Sequence, residues 1–210
     1  MTTGVPPTLL VATSNRGKYD EFVQLLPEGI VYLSPRDVAM ALPPEDGVSF
    51  AEIATQKALA AANMTGLLTL ADDSGLEVAA LGGAPGVHSA RFAGDPTDDE
   101  RNRQALLAAL RNVPPAERVA RFICSLVLAR PGTIVASSDG TCEGMISCAS
   151  RGSFGFGYDP VFELPDGRTM AELSAAEKNQ ISHRARAIRQ ILPTLLQELG
   201  SRSTTGDGLR

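Results

Sequence analysis

Apolar and polar residues alternate in two different rhythms along this chain, and the change between them divides it. In the first part, short apolar runs are separated by stretches of helical spacing. Residues 9–13 have the length and content of a buried strand, and residues 17–26 bring Tyr19, Phe22, Val23 and Leu26 onto one helical face. Residues 30–33 predict a second short strand. A Pro-rich loop over 42–47 then opens a helix over about 49–63, with Phe50, Ile53, Ala54, Lys57, Ala58 and Ala61 on its inner side. Residues 67–71 predict a strand ending at Asp72 and Asp73. The Gly-rich segment 81–94 has no period and reads as a structured loop. Residues 98–111 predict an amphipathic helix whose acidic start suits a helix N-terminus.

Beyond Arg118 the rhythm becomes that of strands. Residues 118–129, 133–138 and 141–147 are rich in Val, Ile and Thr and are separated by Pro-Gly and Asp-Gly turn signals, which predicts an antiparallel meander. A last helix is expected over about 182–199, kinked or broken at Pro193. The Ser, Thr and Gly-rich tail 200–210 reads as disordered. Helices and strands alternate early while hairpins dominate later. The expected class is therefore α/β with a mixed sheet flanked by helices, rather than a doubly wound parallel fold. No repeat or linker interrupts residues 1–199, which read as one domain.

Composition narrows the function classes. A chain of 210 residues with 43% apolar content can bury a real core but is short for two independent domains. The net charge of -5 argues against a broad surface for nucleic acid, which requires many phosphates to be neutralised. The start carries no basic leader, and no apolar run approaches a membrane span, so a soluble cytoplasmic protein with no membrane partner is expected. Cys124, Cys142 and Cys148 match no zinc spacing and are expected to be buried thiols.

Four polar motifs carry the candidate chemistry. In Thr13-Ser14-Asn15-Arg16-Gly17-Lys18 a strand delivers backbone N–H groups and an ammonium into a turn that a helix continues, which makes an anion site. The glycine spacing is not that of a P-loop, and Ser-Asn at such a turn is also ordinary capping chemistry. Asp72 and Asp73 at the mouth of a buried strand repel each other and would gain from a divalent cation. Mg2+ is the natural occupant, with Glu45 and Glu52 as further oxygen donors nearby. Acidic residues at strand ends are also common solvated turn formers. Residues 152–160, including Phe156, Gly157, Tyr158 and Asp159, interleave glycines with aromatics. Such a loop lets backbone approach a flat ligand, or simply packs on the core. Lys178, His183 and Arg184 add donors near the start of the last helix.

Together these motifs closely resemble the inosine triphosphate pyrophosphatase family, over residues 9–199 and in the family's motif order. The most specific stretch runs from Ala71-Asp72-Asp73-Ser74-Gly75 through Gly86-Val87-His88-Ser89-Ala90-Arg91-Phe92. One departure is Ile53, where the family pattern has Asn after Glu52. The resemblance implies an elongated mixed sheet forming two lobes with a nucleotide groove between them, usually as a homodimer. It implies Mg-dependent hydrolysis of ITP, dITP and XTP to the monophosphate and pyrophosphate, which clears damaged purines from the nucleotide pool. Carried over, it sets the triphosphate against Ser14, Asn15 and Lys18, with Lys57 and Lys178 as further phosphate partners. Glu45 and Asp73 become metal ligands with Asp72 nearby, and Asp73 the general base. Phe156, Gly157, Tyr158 and Asp159 become the base pocket, completed by His183 and Arg184, while Ser74 touches substrate.

Two other readings fit parts of the pattern. A pyrophosphatase for pyrimidine or modified nucleotides would differ in substrate profile, and the Ser-His-Arg element speaks against it. A non-catalytic nucleotide sensor would need no metal-bound base, so Glu45, Asp72 and Asp73 together favour an enzyme. A dehalogenase-type phosphatase needs Asp-x-Asp after the first strand, where this chain has Thr-Ser-Asn.

Overall fold

The structure, a computed structural model, describes residues 6–200. Six strands are hydrogen-bonded in the order β2-β1-β3-β4-β5-β6: β1 (Thr8–Val11), β2 (Val31–Leu33), β3 (Thr69–Val78), β4 (Val119–Arg130), β5 (Thr133–Ile146) and β6 (Phe162–Glu163). The helices are α1 (Arg16–Leu25), α2 (Phe50–Thr65), α3 (Asp99–Ala109), α4 (Ala175–Ile181) and α5 (His183–Gly200). β1 pairs in parallel with both β2 and β3, whereas β5 and β6 are antiparallel, so the sheet is mixed as expected. Among the described residues no helix is long and apolar enough to cross a membrane.

Contacts divide the chain into two compact units. Unit 1 runs up to Asp73 and takes in Ser125–Asp139 and the chain from Ala187 onward. Unit 2 is Ser74–Cys124 with Gly140–Arg186. In unit 1, α2 starts where the Ser49 hydroxyl accepts from the Glu52 N–H and ends at Gly66 in the left-handed region. Its buried face carries Ala54, Ala58, Ala61 and Ala62, which pack with Leu10, Ala12, Ala71, Val127 and Ala129 of the sheet. Such small residues let helix and sheet backbones approach closely. In unit 2 the core is built of larger groups: Leu76, Leu106, Leu110, Phe122, Ile146, Tyr158, Phe162 and Met170 are all buried together.

Four expectations need correction. β3 does not stop at Ala71 but runs to Val78, so Asp72 and Asp73 lie inside a strand. The Asp139-Gly140 signal makes no turn, because β5 continues through it: the Asp139 carboxylate accepts from the Ser125 hydroxyl at 2.6 Å and its carbonyl from Gln190 at 2.9 Å. α5 is not broken at Pro193, which lies inside one helix. Cys148 is exposed, while Cys124 and Cys142 are buried. The strand β6 and helix α4 had no counterpart in the sequence reading, and the tail beyond Gly200 lies outside the described residues.

Candidate active site

The polar motifs gather into two clusters, one in each unit. In unit 1, β1 ends in a turn in which the Asn15 N–H donates to the Thr13 hydroxyl at 3.2 Å. The Asn15 side chain caps α1 by accepting from the Lys18 N–H at 3.0 Å. The expected anion turn is thus also a capped helix start. Ser14, Asn15 and Arg16 are exposed, and Gly17 and Lys18 half-buried. Arg16 turns to Asp20 one helical turn on, at 2.9 Å, and leads away from the cluster. Lys18 reaches Asp72, with Nζ 3.0 Å from Oδ2. Lys57, on the alanine face of α2, holds Glu45 Oε1 at 3.0 Å and Asp73 Oδ1 at 3.3 Å on a single ammonium.

The geometry follows from the correction to β3. Adjacent aspartates inside β3 bond different lysines, Asp72 with Lys18 and Asp73 with Lys57, although both carboxylates act on Lys57. Asp73 shares its face with Ala71, and Ala71 belongs to the cluster that packs α2, the helix carrying Lys57. Burial pushes the Asp73 carboxyl above its ordinary range, against the pull of Lys18 and Lys57. Burial also weighs on Glu45, yet Lys57 wins and holds its carboxyl below the usual range. Lys57 stays charged although buried, because the Asp72, Asp73 and Glu45 carboxylates outweigh its desolvation.

Among the described residues no three His, Cys, Asp or Glu side chains form a ready metal cage. Lysine ammoniums stand between the carboxylates instead. The donor set nevertheless fits a hard divalent cation. It is all oxygen, and two of its carboxylates already converge on one point charge. Three carboxylates facing two ammonium groups also leave negative charge for a further cation to balance. Glu52 does not join them, since its carboxylate accepts from the Val48 N–H at 3.0 Å at the start of α2. Ile53 is buried and packs against Gly47, where a Cβ would lie 2.6 Å from Ile53 Cγ1. An apolar residue at position 53 therefore props the loop that carries Glu45.

In unit 2, Arg184 is almost fully buried, donates to Ser74 Oγ at 3.0 Å and sets its guanidinium 5.9 Å from the centre of the Phe156 ring. Lys178 lies 5.1 Å from the same ring and pairs with buried Asp159. Asp159 also accepts from the Phe156 N–H at 2.9 Å, and Gly155 is left without a side chain because a Cβ there would strike that carboxylate. Two cations within about 6 Å of the ring centre give it cation–π contacts. His183 stacks on Phe122 with ring centroids 4.9 Å apart, which fixes the start of α5. Tyr158 is buried, and its hydroxyl donates to the Ser89 carbonyl at 2.8 Å.

Ser74, Phe156, Gly157, Tyr158, Asp159, Lys178, His183 and Arg184 thus fall in unit 2, and Thr13 through Lys18, Glu45, Lys57, Asp72 and Asp73 in unit 1. Lys178, expected to join the phosphate lysines, sits with the aromatic loop. Missed from the sequence were Asp99 and Arg103, which bond the Gly157 backbone. Their spacing of four places them on one helix face, but nothing in the chain reveals what that face meets.

An α/β protein with a carboxylate and lysine cluster in one unit and a cation-backed aromatic ring in the other belongs to the ligand-binding enzymes rather than to structural folds. The chain belongs to the Ham1 family, whose profile matches residues 9–194. It is similar to the dITP/XTP pyrophosphatase of Desulforamulus reducens, 48% identical with 89% of this chain and 94% of that protein covered. It is also similar to the dITP/XTP pyrophosphatase of Geobacillus kaustophilus, 50% identical with 87% and 91% covered. Among solved structures it resembles a HAM1 protein from Coxiella burnetii, with TM-score 0.81, 40% identity, and 91% of this chain and 99% of that one covered.

Proposed function

We propose that this protein hydrolyses non-standard purine nucleoside triphosphates, ITP, dITP and XTP, to the monophosphate and pyrophosphate, with Mg2+ as cofactor. The observation that carries the reading is the convergence of Glu45 and Asp73 on Lys57, beside the Lys18–Asp72 pair. The names of the relatives point to the same reaction. A cytoplasmic location, from the character of the sequence, and a homodimer, from the family resemblance, complete the proposal, and sedimentation tests the dimer.

A triphosphate brings about four negative charges, which Lys18, Lys57 and the N–H groups at the start of α1 would neutralise locally. Glu45 and Asp73, with Asp72 close by, would hold Mg2+. Bound there, the ion would supply charge neutralisation and polarise phosphate oxygens. Asp73 would accept the proton of a water that attacks the α-phosphorus. Pyrophosphate then leaves, and the monophosphate keeps the new oxygen. Most of the acceleration is positioning and charge stabilisation.

Phe156 would cover one face of the purine, and Arg184 would donate to its 6-oxo group. Adenine presents a 6-amino donor there, so ATP meets donor against donor and is rejected. The test is release of pyrophosphate and monophosphate from ITP, XTP, GTP and ATP, with Mg2+ and with EDTA. Mg-dependent cleavage of ITP and XTP is expected. Binding without turnover would make the protein a nucleotide sensor instead.

A further inference from the structure

The Gly157 backbone is gripped on both sides by α3. Its N–H donates to Asp99 Oδ2 at 2.7 Å, and its carbonyl accepts from Arg103 Nη1 at 2.7 Å. The two side chains are one helical turn apart and lie 58 and 54 residues from the glycine they hold. Residues at that spacing are neighbours on a helix surface and could have paired with each other. Arg103 takes Glu100 at 2.6 Å as its carboxylate partner instead and keeps one nitrogen for Gly157. Gly157 has φ of 60°, the left-handed region, so its flanking peptides are turned in a way that L side chains rarely adopt.

α3 is itself anchored. Buried Asn102 accepts from the Ala93 N–H at 2.7 Å and donates to the Ala90 carbonyl at 2.8 Å, while Leu106 and Leu110 sit in the core of unit 2. The same segment reaches the aromatic loop directly, through the bond from the Tyr158 hydroxyl to the Ser89 carbonyl. The Ser89 hydroxyl accepts from the Leu76 N–H at 2.8 Å, which ties the arrangement to β3 two residues beyond Ser74. Residues 86–93 therefore hold the loop by two routes, one through Tyr158 and one through α3 and Gly157. Between the two held points and the Asp159 carboxylate, Phe156 has little freedom to change height over Lys178 and Arg184.

We propose that Asp99 and Arg103 are positioning residues for base selection: by clamping Gly157 they set the position of the Phe156 ring that covers the purine whose 6-oxo group Arg184 meets. This rests on the reading of the 156–159 loop as the base pocket. Loosening the clamp should let the ring shift over the base and weaken discrimination while the charged cluster of unit 1 is untouched.

The test measures kcat and KM for ITP and ATP, and equilibrium binding of IMP and AMP, in wild type, Arg103→Ala, Arg103→Lys and Asp99→Ala. Arg103→Ala is expected to lower the ITP over ATP ratio about 10-fold, chiefly through a higher KM for ITP, with kcat for ITP kept within about 3-fold. Arg103→Lys, which restores a single donor, should recover part of the ratio. Asp99→Ala alters an exposed position and decides the matter should Arg103→Ala fail to fold. A parallel loss for both nucleotides, or an unchanged ratio, would overturn the clamp. Absence of turnover in wild type would count against the proposed reaction alone, because the IMP over AMP binding ratio still judges the clamp.

Discussion

Unit 1 holds its candidate residues charge against charge, whereas unit 2 holds its own largely through backbone. In unit 1 two lysines face three carboxylates behind an alanine face. In unit 2 the aromatic loop is fixed by Asp99 and Arg103 on Gly157, Tyr158 on Ser89 and Asp159 on the Phe156 N–H, with the buried Lys178–Asp159 pair beside them. The difference matches two tasks. Opposed charges can exchange partners when a polyanion and a cation arrive, while backbone bonds hold a shape that must not change. If so, unit 1 should be most sensitive to loss of charge and unit 2 to loss of geometry.

The largest expected effect comes from removing one charge in unit 1 with its shape kept. Asp73→Asn should lower kcat by at least ~100-fold with substrate binding largely retained, as single-turnover and binding measurements would report. Near-normal turnover would remove Asp73 from the role of base. Packing should divide the units next. Ala58 is fully buried on the face of α2 that carries Lys57 toward β3, and Leu there is nearly as good a helix former. Ala58→Leu should cost about 1–3 kcal/mol in urea melts, because the helix must lift from the sheet. Leu106→Met in the larger-residue core of unit 2 should cost under about 1.5 kcal/mol, since it conserves volume. Equal costs would mean that the alanine face is not what sets the approach of Lys57. In unit 2, Arg184→Ala should reduce the ITP over ATP preference about tenfold. An unchanged ratio would take base recognition away from Arg184.

The same division explains what could be read from the chain. α2 was legible because its apolar period, Ser49 cap and Gly66 end agree with one another. The family and the mixed sheet were legible from motif order and from the change of rhythm. The extent of β3 was not, since two adjacent aspartates look like a strand end until Lys18 and Lys57 arrive from elsewhere to neutralise them. Asp139-Gly140 misled for a related reason: its turn chemistry is overridden by bonds from Ser125 and Gln190, residues distant in sequence. The Gly157 clamp was invisible on the same ground. Local signals name the residues, and long-range partners decide what those residues do.

The smallest effect concerns a charge in unit 2 that lies far from either cluster's work. Glu177, in the first turn of α4, accepts from Arg168 at 2.8 Å and from the Ser174 hydroxyl at 2.7 Å. These bonds, with the Arg168 bond the largest, lower its carboxyl from 4.5 to about 2. A carboxyl depressed in the folded state adds stability that is present above its unfolded value and is lost as pH falls through its folded value. The window therefore runs from 4.5 down to about 2. Glu177→Gln should lower the urea midpoint slightly at neutral pH, and the two proteins should converge as pH approaches the lower end of that window. The residue is exposed, so added salt should narrow the gap. A gap that persists at the acidic end would mean that the carboxylate's charge is not what stabilises this turn, and that the capping bonds alone account for it.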